Sequence, residues 1–207
     1  MSTTFEVYPS APEIPTLQRL LDDATGNLHA FLERIGIDAR PPITFRLLRS
    51  GDNVELPHRD DLRWNHNEIG WFQVGSITGG TDAYYESVDE HSTLDVWHEY
   101  LREERFKPFS DRIQRSLAIG HYWSFRRSAG QPAVINIAYG ILAASLAAIT
   151  DGFVFSDDSA WDWERLPALP DDFLDWYFVP ELALGEDFRE WSERCIKALP
   201  DELSAER

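Results

Sequence analysis

Apolar residues recur every three or four positions through residues 17–35, a spacing that places them on one face of a helix. Thr16 stands where an N-cap belongs, and Gly36 stands where a helix stops. Residues 132–149 are apolar almost throughout and predict a buried helix. Gly152 follows it, at a position where glycine commonly takes the left-handed backbone conformation that ends a helix. Shorter helical patterns are predicted at residues 93–101, 113–117, 171–177 and 186–196.

Strand-like segments lie between these helices, and turn residues join some of them into hairpins. Residues 5–8 alternate between apolar and polar, while Gly-rich turns at 50–53 and 78–82 separate neighbouring strands. We find no internal repeat and no Gly/Ser-rich linker, so residues 1–207 are expected to form a single domain. The pattern predicts an α+β fold with a mixed, mainly antiparallel sheet and helices packed chiefly on one face. The further strands are predicted at residues 43–48, 71–77, 83–88, 121–126 and 153–155.

Charge narrows the range of partners. The chain has 36 acidic and 19 basic side chains, for a formal net charge of -17. Such a field disfavours nucleic acid and anionic membranes, and it speeds encounter with a basic protein. Residues 151–207 alone hold 16 acidic and 5 basic side chains. The sequence therefore predicts either a directed acidic binding surface or a charge that serves solubility alone.

The single cysteine, Cys195, allows no intramolecular disulfide and fits a reducing compartment. The first residues lack the basic and apolar regions of a secretion signal. Residues 133–149 are short for a membrane span and contain Asn136. We therefore expect a cytoplasmic protein.

One set of residues suggests a metal-dependent enzyme. His58 and Asp60 form a His-x-Asp pair, and with His121 they would complete the ligand triad of a non-haem iron oxygenase. A second alternative is a hydrolytic metal site whose ligands lie within one loop: His58, Asp60, Asp61, His66 and Glu68. Against both, the chain has long helices where such oxygenases have a double-stranded β-helix, and its spacing matches no zinc template. The main expectation is therefore a protein that is not an enzyme, with no cofactor and no metal.

The densest local feature is the segment 156–164, which combines four acids with two indoles. An exposed loop of this composition suits a protein interface, in which aromatic anchors supply contact area and charges supply orientation. Alternatively, the loop folds back so that Trp161 and Trp163 close the end of the core. The candidate partner-binding residues are Asp157, Asp158, Trp161, Asp162, Trp163 and Glu164.

Residues 149–162, with the sequence ITDGFVFSDDSAWD, and residues 170–178, with the sequence PDDFLDWYF, together resemble bacterial immunity proteins of polymorphic toxin systems. The resemblance covers roughly a fifth of the chain. It implies a small cytoplasmic protein that binds and neutralises one cognate toxin, commonly by occluding the active site of the toxin. We therefore expect a toxin inhibitor whose acidic surface docks on a basic toxin.

Overall fold

The computed structural model describes residues 2–89, 93–158 and 160–204. These residues form a seven-stranded sheet with the order β3-β2-β4-β5-β6-β1-β7. Every neighbouring pair within it is antiparallel, so the α+β prediction is confirmed while the expected mixed sheet is in fact antiparallel. The strands are β1 (Thr3–Tyr8), β2 (Ile43–Arg49), β3 (Asp52–Val54), β4 (Glu68–Val74), β5 (Thr81–Ser87), β6 (His121–Arg127) and β7 (Phe153–Phe155).

Four of the helices that the structure describes lie between strands, and the last two follow the final strand, in the order that the periodicity predicts. Thr16 caps the first helix, because its hydroxyl accepts a hydrogen bond from the Arg19 N–H at 3.3 Å, and Gly36 follows with a φ of 78°. The helices are α1 (Leu17–Arg34), α2 (Thr93–Tyr100), α3 (Ser110–Ile119), α4 (Ala133–Ile149), α5 (Pro170–Trp176) and α6 (Glu186–Ser204). Short 3₁₀ turns occupy Glu104–Phe109, Trp163–Arg165 and Pro180–Leu182.

Most helices pack on one face of the sheet, which we call the inner face. Phe5 on β1 points to this face and stacks on Tyr139 of α4 with ring centroids 4.8 Å apart. Helix α4 contacts the sheet, and α1, α5 and α6 also pack against α4. This cover explains why α4 is apolar around its whole circumference and buried, as the sequence predicts. None of the helices in the described part of the chain is long and apolar enough to cross a membrane.

The opposite face of the sheet, the outer face, is only partly covered. Glu6 and Tyr8 point to it because side chains alternate along β1. Trp97 of α2 packs edge-on against Tyr8 at 5.1 Å and contacts Phe155 of β7 at 4.6 Å, so α2 covers one end of this face. Further along the same face, Trp71 remains only partly buried. The outer face is therefore a sheet surface that is closed at the β7 end and more open beyond it.

The structure corrects the prediction for Gly152. Asp151, with a φ of 49°, takes the left-handed conformation after α4, and Gly152 does not. A Cβ on Gly152 would lie 2.3 Å from the carbonyl oxygen of Tyr8. Glycine is needed here because β7 begins in close contact with the end of β1, so the residue serves close packing of the backbone.

Candidate binding site at the acidic end of the outer face

Trp161 belongs to the core and is not part of an exposed surface. It is 1% exposed, and its ring stacks against Trp176 at 5.8 Å and Phe178 at 5.4 Å. Its indole N–H donates a hydrogen bond to the carbonyl oxygen of Phe188 at 3.1 Å. The expectation of an exposed anchor is therefore wrong for Trp161, and the alternative in which this indole closes the core is the arrangement found.

Asp162 is also buried, at 1% exposure. Both of its carboxylate oxygens accept the Leu184 N–H, at 3.1 and 3.2 Å, and the guanidinium of Arg165 lies 3.1 Å away. Burial raises the pKa of this carboxyl group, while the contacts to Leu184 and Arg165 act in the opposite direction. Asp162 therefore links Leu184, in the segment before α6, to Arg165, in the 3₁₀ turn that directly follows Asp162. Its side chain is not available to a partner.

The other four candidate residues reach the surface to different degrees. Asp157 and Glu164 are exposed, whereas Trp163 is half-buried, with the Arg105 guanidinium 5.7 Å from its ring. Asp158 is partly buried because its Oδ1 accepts the Thr4 N–H at 3.0 Å. Ser159 lies outside the described residues. The structure thus leaves Asp157, Asp158 and Glu164 as surface acids of the predicted segment.

Two further carboxyl groups lie on the outer face near Asp157 and Asp158. Glu6 of β1 pairs across the sheet with Phe155, the last residue of β7 before the acidic segment, while Glu86 of β5 pairs with Tyr122. Asp158 contacts β1 directly through the Thr4 N–H, although the two residues are 154 positions apart in the chain. We call Glu6, Glu86, Asp157 and Asp158 the acidic cluster.

Glu6 is the most perturbed member of the acidic cluster. Burial is the main cause that raises its pKa from 4.5 to about 7, and the charges of Asp157, Asp158 and Glu86 act in the same direction. The hydroxyl of Tyr8 donates a hydrogen bond to Glu6 at 2.8 Å and partly opposes this rise. Among the described residues no cationic side chain forms an ion pair with Glu6.

Glu6 lines a cavity of about 170 Å³, which we call the Glu6 pocket. Its walls are largely aromatic, since Tyr8 stacks on Tyr122 at 4.9 Å and meets Trp97 edge-on. Asp157 lies at its rim, where the hydroxyl of Tyr100 donates a hydrogen bond to the Asp157 carboxylate at 3.4 Å. The full lining comprises Glu6, Tyr8, Thr93, Val96, Trp97, Tyr122, Phe155 and Asp157.

Sequence reasoning identified Asp157 but missed Glu6. Its only local signal is the alternation of residues 5–8, in which a charged residue sits between apolar ones, and that is the usual pattern of a half-exposed strand. The proximity of Glu6 to Asp157 depends on β7 pairing with β1, a contact between distant parts of the chain. No motif in the sequence predicts that β7 pairs with β1.

The residues of the enzyme alternative serve different parts of the fold. The carbonyl oxygens of His58 and Asp60 accept the N–H groups of Gln18 and Leu17 at 2.8 and 3.1 Å, so this loop satisfies the first turn of α1. The His58 ring lies 2.8 Å from the Gln18 side-chain oxygen. His121 instead begins β6 and packs edge-on against Trp123.

Within residues 2–89, 93–158 and 160–204, no three His, Cys, Asp or Glu side chains are grouped so as to hold a metal ion. The predicted ligand set of His58, Asp60 and His121 is therefore not brought together. Comparison with protein-family models, with curated protein sequences and with solved structures finds no match for this chain.

The raised pKa of Glu6 predicts how the free energy of unfolding depends on pH. Because the folded-state pKa is raised, the folded protein holds a proton that the unfolded chain releases, and stability should fall as pH rises from about 4.5 through about 7. Glu6→Gln removes this ionisation while keeping an acceptor for Tyr8. We expect the variant to be more stable than the natural chain by about 3 kcal/mol at pH 8, and to differ little at pH 4.

Urea unfolding at pH 4, 6 and 8, followed by tryptophan fluorescence, measures this difference. Glu193→Gln is the matched control, because Glu193 is exposed on α6. A gap between Glu6→Gln and the natural chain that stays constant from pH 4 to pH 8 would contradict the assignment of the proton to Glu6.

Proposed function

We propose that this chain is a non-enzymatic, cytoplasmic immunity protein that binds and neutralises a cognate toxin through the acidic end of its outer face. The observation that carries the proposal is the convergence of Glu6, Glu86, Asp157 and Asp158 on one partly open surface. Like charges brought together repel one another and raise the free energy of the unbound protein. A basic partner relieves that repulsion.

The segment that resembles immunity proteins contributes directly to this surface. Residues 149–162 include β7, whose pairing with β1 brings Asp157 and Asp158 beside Glu6. The same segment includes Gly152, which allows the close approach to Tyr8. The resemblance and the acidic cluster thus support the proposal at the same place in the fold.

The chemistry of the partner follows from the charge. With a formal net charge of -17, the protein attracts a basic toxin over long range and repels phosphate backbones and anionic lipid. Complementary potentials of this kind raise association rates and suppress wrong partners. A toxin that acts on nucleic acid has the basic substrate-binding surface that such an inhibitor would occlude.

The first experiment is to capture the partner from native lysate at low salt and identify it by mass spectrometry. The captured protein is then expressed alone and together with this chain. We expect growth arrest when it is expressed alone and rescue on co-expression, with formation of a stable complex. A captured protein that is harmless alone, or one that remains toxic on co-expression, would refute the immunity function.

Charge reversal locates the interface once the toxin is known. Asp157→Lys/Asp158→Lys should slow association about tenfold at low salt, with a smaller effect at high salt, because the steering field is screened. Stopped-flow or surface plasmon resonance measures the rate constant. Glu193→Lys/Asp201→Lys is the control, since both residues are exposed on α6 and their replacement changes the net charge equally.

Asp157→Asn/Asp158→Asn tests whether structure contributes to the effect. The amide oxygen at position 158 still accepts the Thr4 N–H, so the local fold is retained while the charge is removed. We expect an intermediate rate. Equal rates for Asp157→Lys/Asp158→Lys and its α6 control would place the interface elsewhere on the protein.

A further inference from the structure

Glu6 is partly buried, and its surroundings differ from those of the fully buried acids Glu68 and Asp162. Glu68 forms an ion pair with Arg49 and accepts the Asn65 N–H at 2.8 Å, and Asp162 is held by Arg165 and the Leu184 N–H. Glu6 has the Tyr8 hydroxyl as its hydrogen-bond donor and forms no ion pair with any side chain in the described part of the chain. Burying a carboxylate without a cation is costly, and the raised pKa of Glu6 reflects that cost.

The cavity next to Glu6 is suited to a flat cation. Tyr8, Trp97 and Tyr122 line it, and the faces of aromatic rings attract cations that have shed water. Both faces of the Tyr8 ring are covered by Tyr122 and Phe153, so Trp97 and Tyr122 are the lining rings that remain to meet a cation. Glu6 lines the cavity and Asp157 stands at its rim, so a side chain entering from solvent meets carboxylates at both depths. The aliphatic stem of a long side chain would lie against Val96 and Phe155.

We infer that the Glu6 pocket receives one arginine side chain of the toxin, with its guanidinium against Trp97 and Tyr122 and its charge compensated by Glu6 and Asp157. This anchor rests on the proposed function and adds to it the residue type that the partner inserts. Arginine suits the site better than lysine, because guanidinium is less strongly hydrated, stacks on aromatic rings and binds carboxylates in two-pronged geometry.

The charges around Glu6 set the pH dependence of this anchor. Glu86 faces Glu6 from β5, while Asp157 and Asp158 face it from the segment after β7. Burial also raises the pKa of Tyr8 and Tyr122, so these rings stay protonated at neutral pH. Among the described residues that line the pocket, Glu6 has a pKa raised to about 7, so we expect binding of arginine to strengthen between pH 6 and pH 8.

The test uses the intact chain and the peptide acetyl-Gly-Gly-Arg-Gly-Gly-amide as the probe, without any toxin. Binding is followed by NMR at the Trp97 indole N–H and by the titration of the Glu6 carboxyl carbon. We expect millimolar binding, chemical-shift changes that centre on the pocket residues, and a lower apparent pKa for Glu6 in the presence of peptide. The same peptide with citrulline, which is neutral and nearly isosteric with arginine, should bind at least fivefold more weakly.

Variants of the chain separate the pocket from general acidity. Glu6→Gln should weaken binding of the arginine peptide at least fivefold at pH 8 and remove its pH dependence, whereas Glu193→Gln should leave both unchanged. Equal binding of the citrulline peptide, or shifts spread evenly over the acidic surface, would overturn the inference. Lysine peptide binding as tightly as arginine would overturn the assignment to arginine.

The two proposals fail separately. If the peptide does not bind but a captured toxin is neutralised and is sensitive to Asp157→Lys/Asp158→Lys, the immunity function stands and the arginine anchor is rejected. If the peptide binds as expected but no toxin is neutralised, the pocket recognises arginine in some other protein and the immunity function is rejected.

Discussion

Asp162→Ala should lower the free energy of unfolding by about 3–5 kcal/mol, because it removes one partner of a buried charged contact and leaves the other uncompensated. The carboxylate is 1% exposed, and the lost contacts are those to the Leu184 N–H at 3.1 Å and to Arg165 at 3.1 Å. Asp162 also takes the left-handed conformation with a φ of 53°, which asparagine and aspartate tolerate better than alanine. The lost contacts and the less favourable backbone conformation of alanine both lower the stability of the variant.

Urea denaturation followed by tryptophan fluorescence measures this loss, since Trp161 is packed beside Asp162. Glu164→Ala is the matched control, because Glu164 is an exposed acid two positions away and its removal should change stability by no more than about 0.5 kcal/mol. A similar small effect for both variants would show that the Asp162 contacts do not hold this part of the fold.

This expectation changes how the interface should be tested. A charge reversal that included Asp162 would lower binding by unfolding the segment before α6, and the loss would resemble loss of an interface residue. Substitutions at Asp157 and Asp158 avoid this confusion, because these residues lie at the surface or at its margin. The acids of one short segment therefore divide into structural and surface groups.

Gly152→Ala should destabilise the protein by about 2–3 kcal/mol. The added Cβ would lie 2.3 Å from the Tyr8 carbonyl oxygen, which is a backbone atom and cannot move aside without displacing β1. Since β1 carries Glu6 and Tyr8, the displacement should also disturb the Glu6 pocket. We therefore expect a lower melting temperature together with weaker binding of the arginine peptide.

Gly26→Ala provides a control of opposite sign. Gly26 lies inside α1, and a Cβ there meets nothing within 4 Å. Alanine restricts the unfolded chain and favours the helix, so this variant should gain about 0.5–1 kcal/mol. Thermal unfolding of the two variants side by side measures both effects. Stabilisation of the protein by Gly152→Ala would contradict the close contact between β7 and β1.

The consequences for function follow from this arrangement. The pocket is built where β1, β6, β7 and α2 meet, and each contributes an aromatic side chain: Tyr8, Tyr122, Phe155 and Trp97. A site made from rigid strands holds its geometry before a partner arrives, which reduces the entropic cost of binding. We expect Glu6 to make the free protein less stable at neutral pH than glutamine would, which is the trade-off that the proposed role in binding predicts.

The order of helices and strands is determined by local sequence. Apolar periodicity, the Thr16 cap and the Gly36 stop define α1, and alternation defines β1, because these signals act between residues a few positions apart. The acidic balance of the chain likewise needs no structure. For the same reason the α+β class was predictable.

Only the tertiary structure decided the fate of individual acids and indoles. Within residues 156–164, Trp161 and Asp162 are buried. Trp161 packs against Trp176 and Phe178, and Asp162 accepts the Leu184 N–H. Local composition does not reveal these partners. The requirement for glycine at position 152 also depends on tertiary structure, because it comes from contact with the backbone of Tyr8, which is distant in the chain.

Glu6 shows most clearly what cannot be predicted from local sequence. The sequence by itself determined that Glu6 lies on a strand and that Asp157 lies in an acidic segment. The antiparallel pairing of β7 with β1 determined that the two carboxyl groups line one cavity. Pairing between distant strands depends on the packing of the whole core beneath them, whereas helix and strand signals are local, so the site emerges only when the chain is folded.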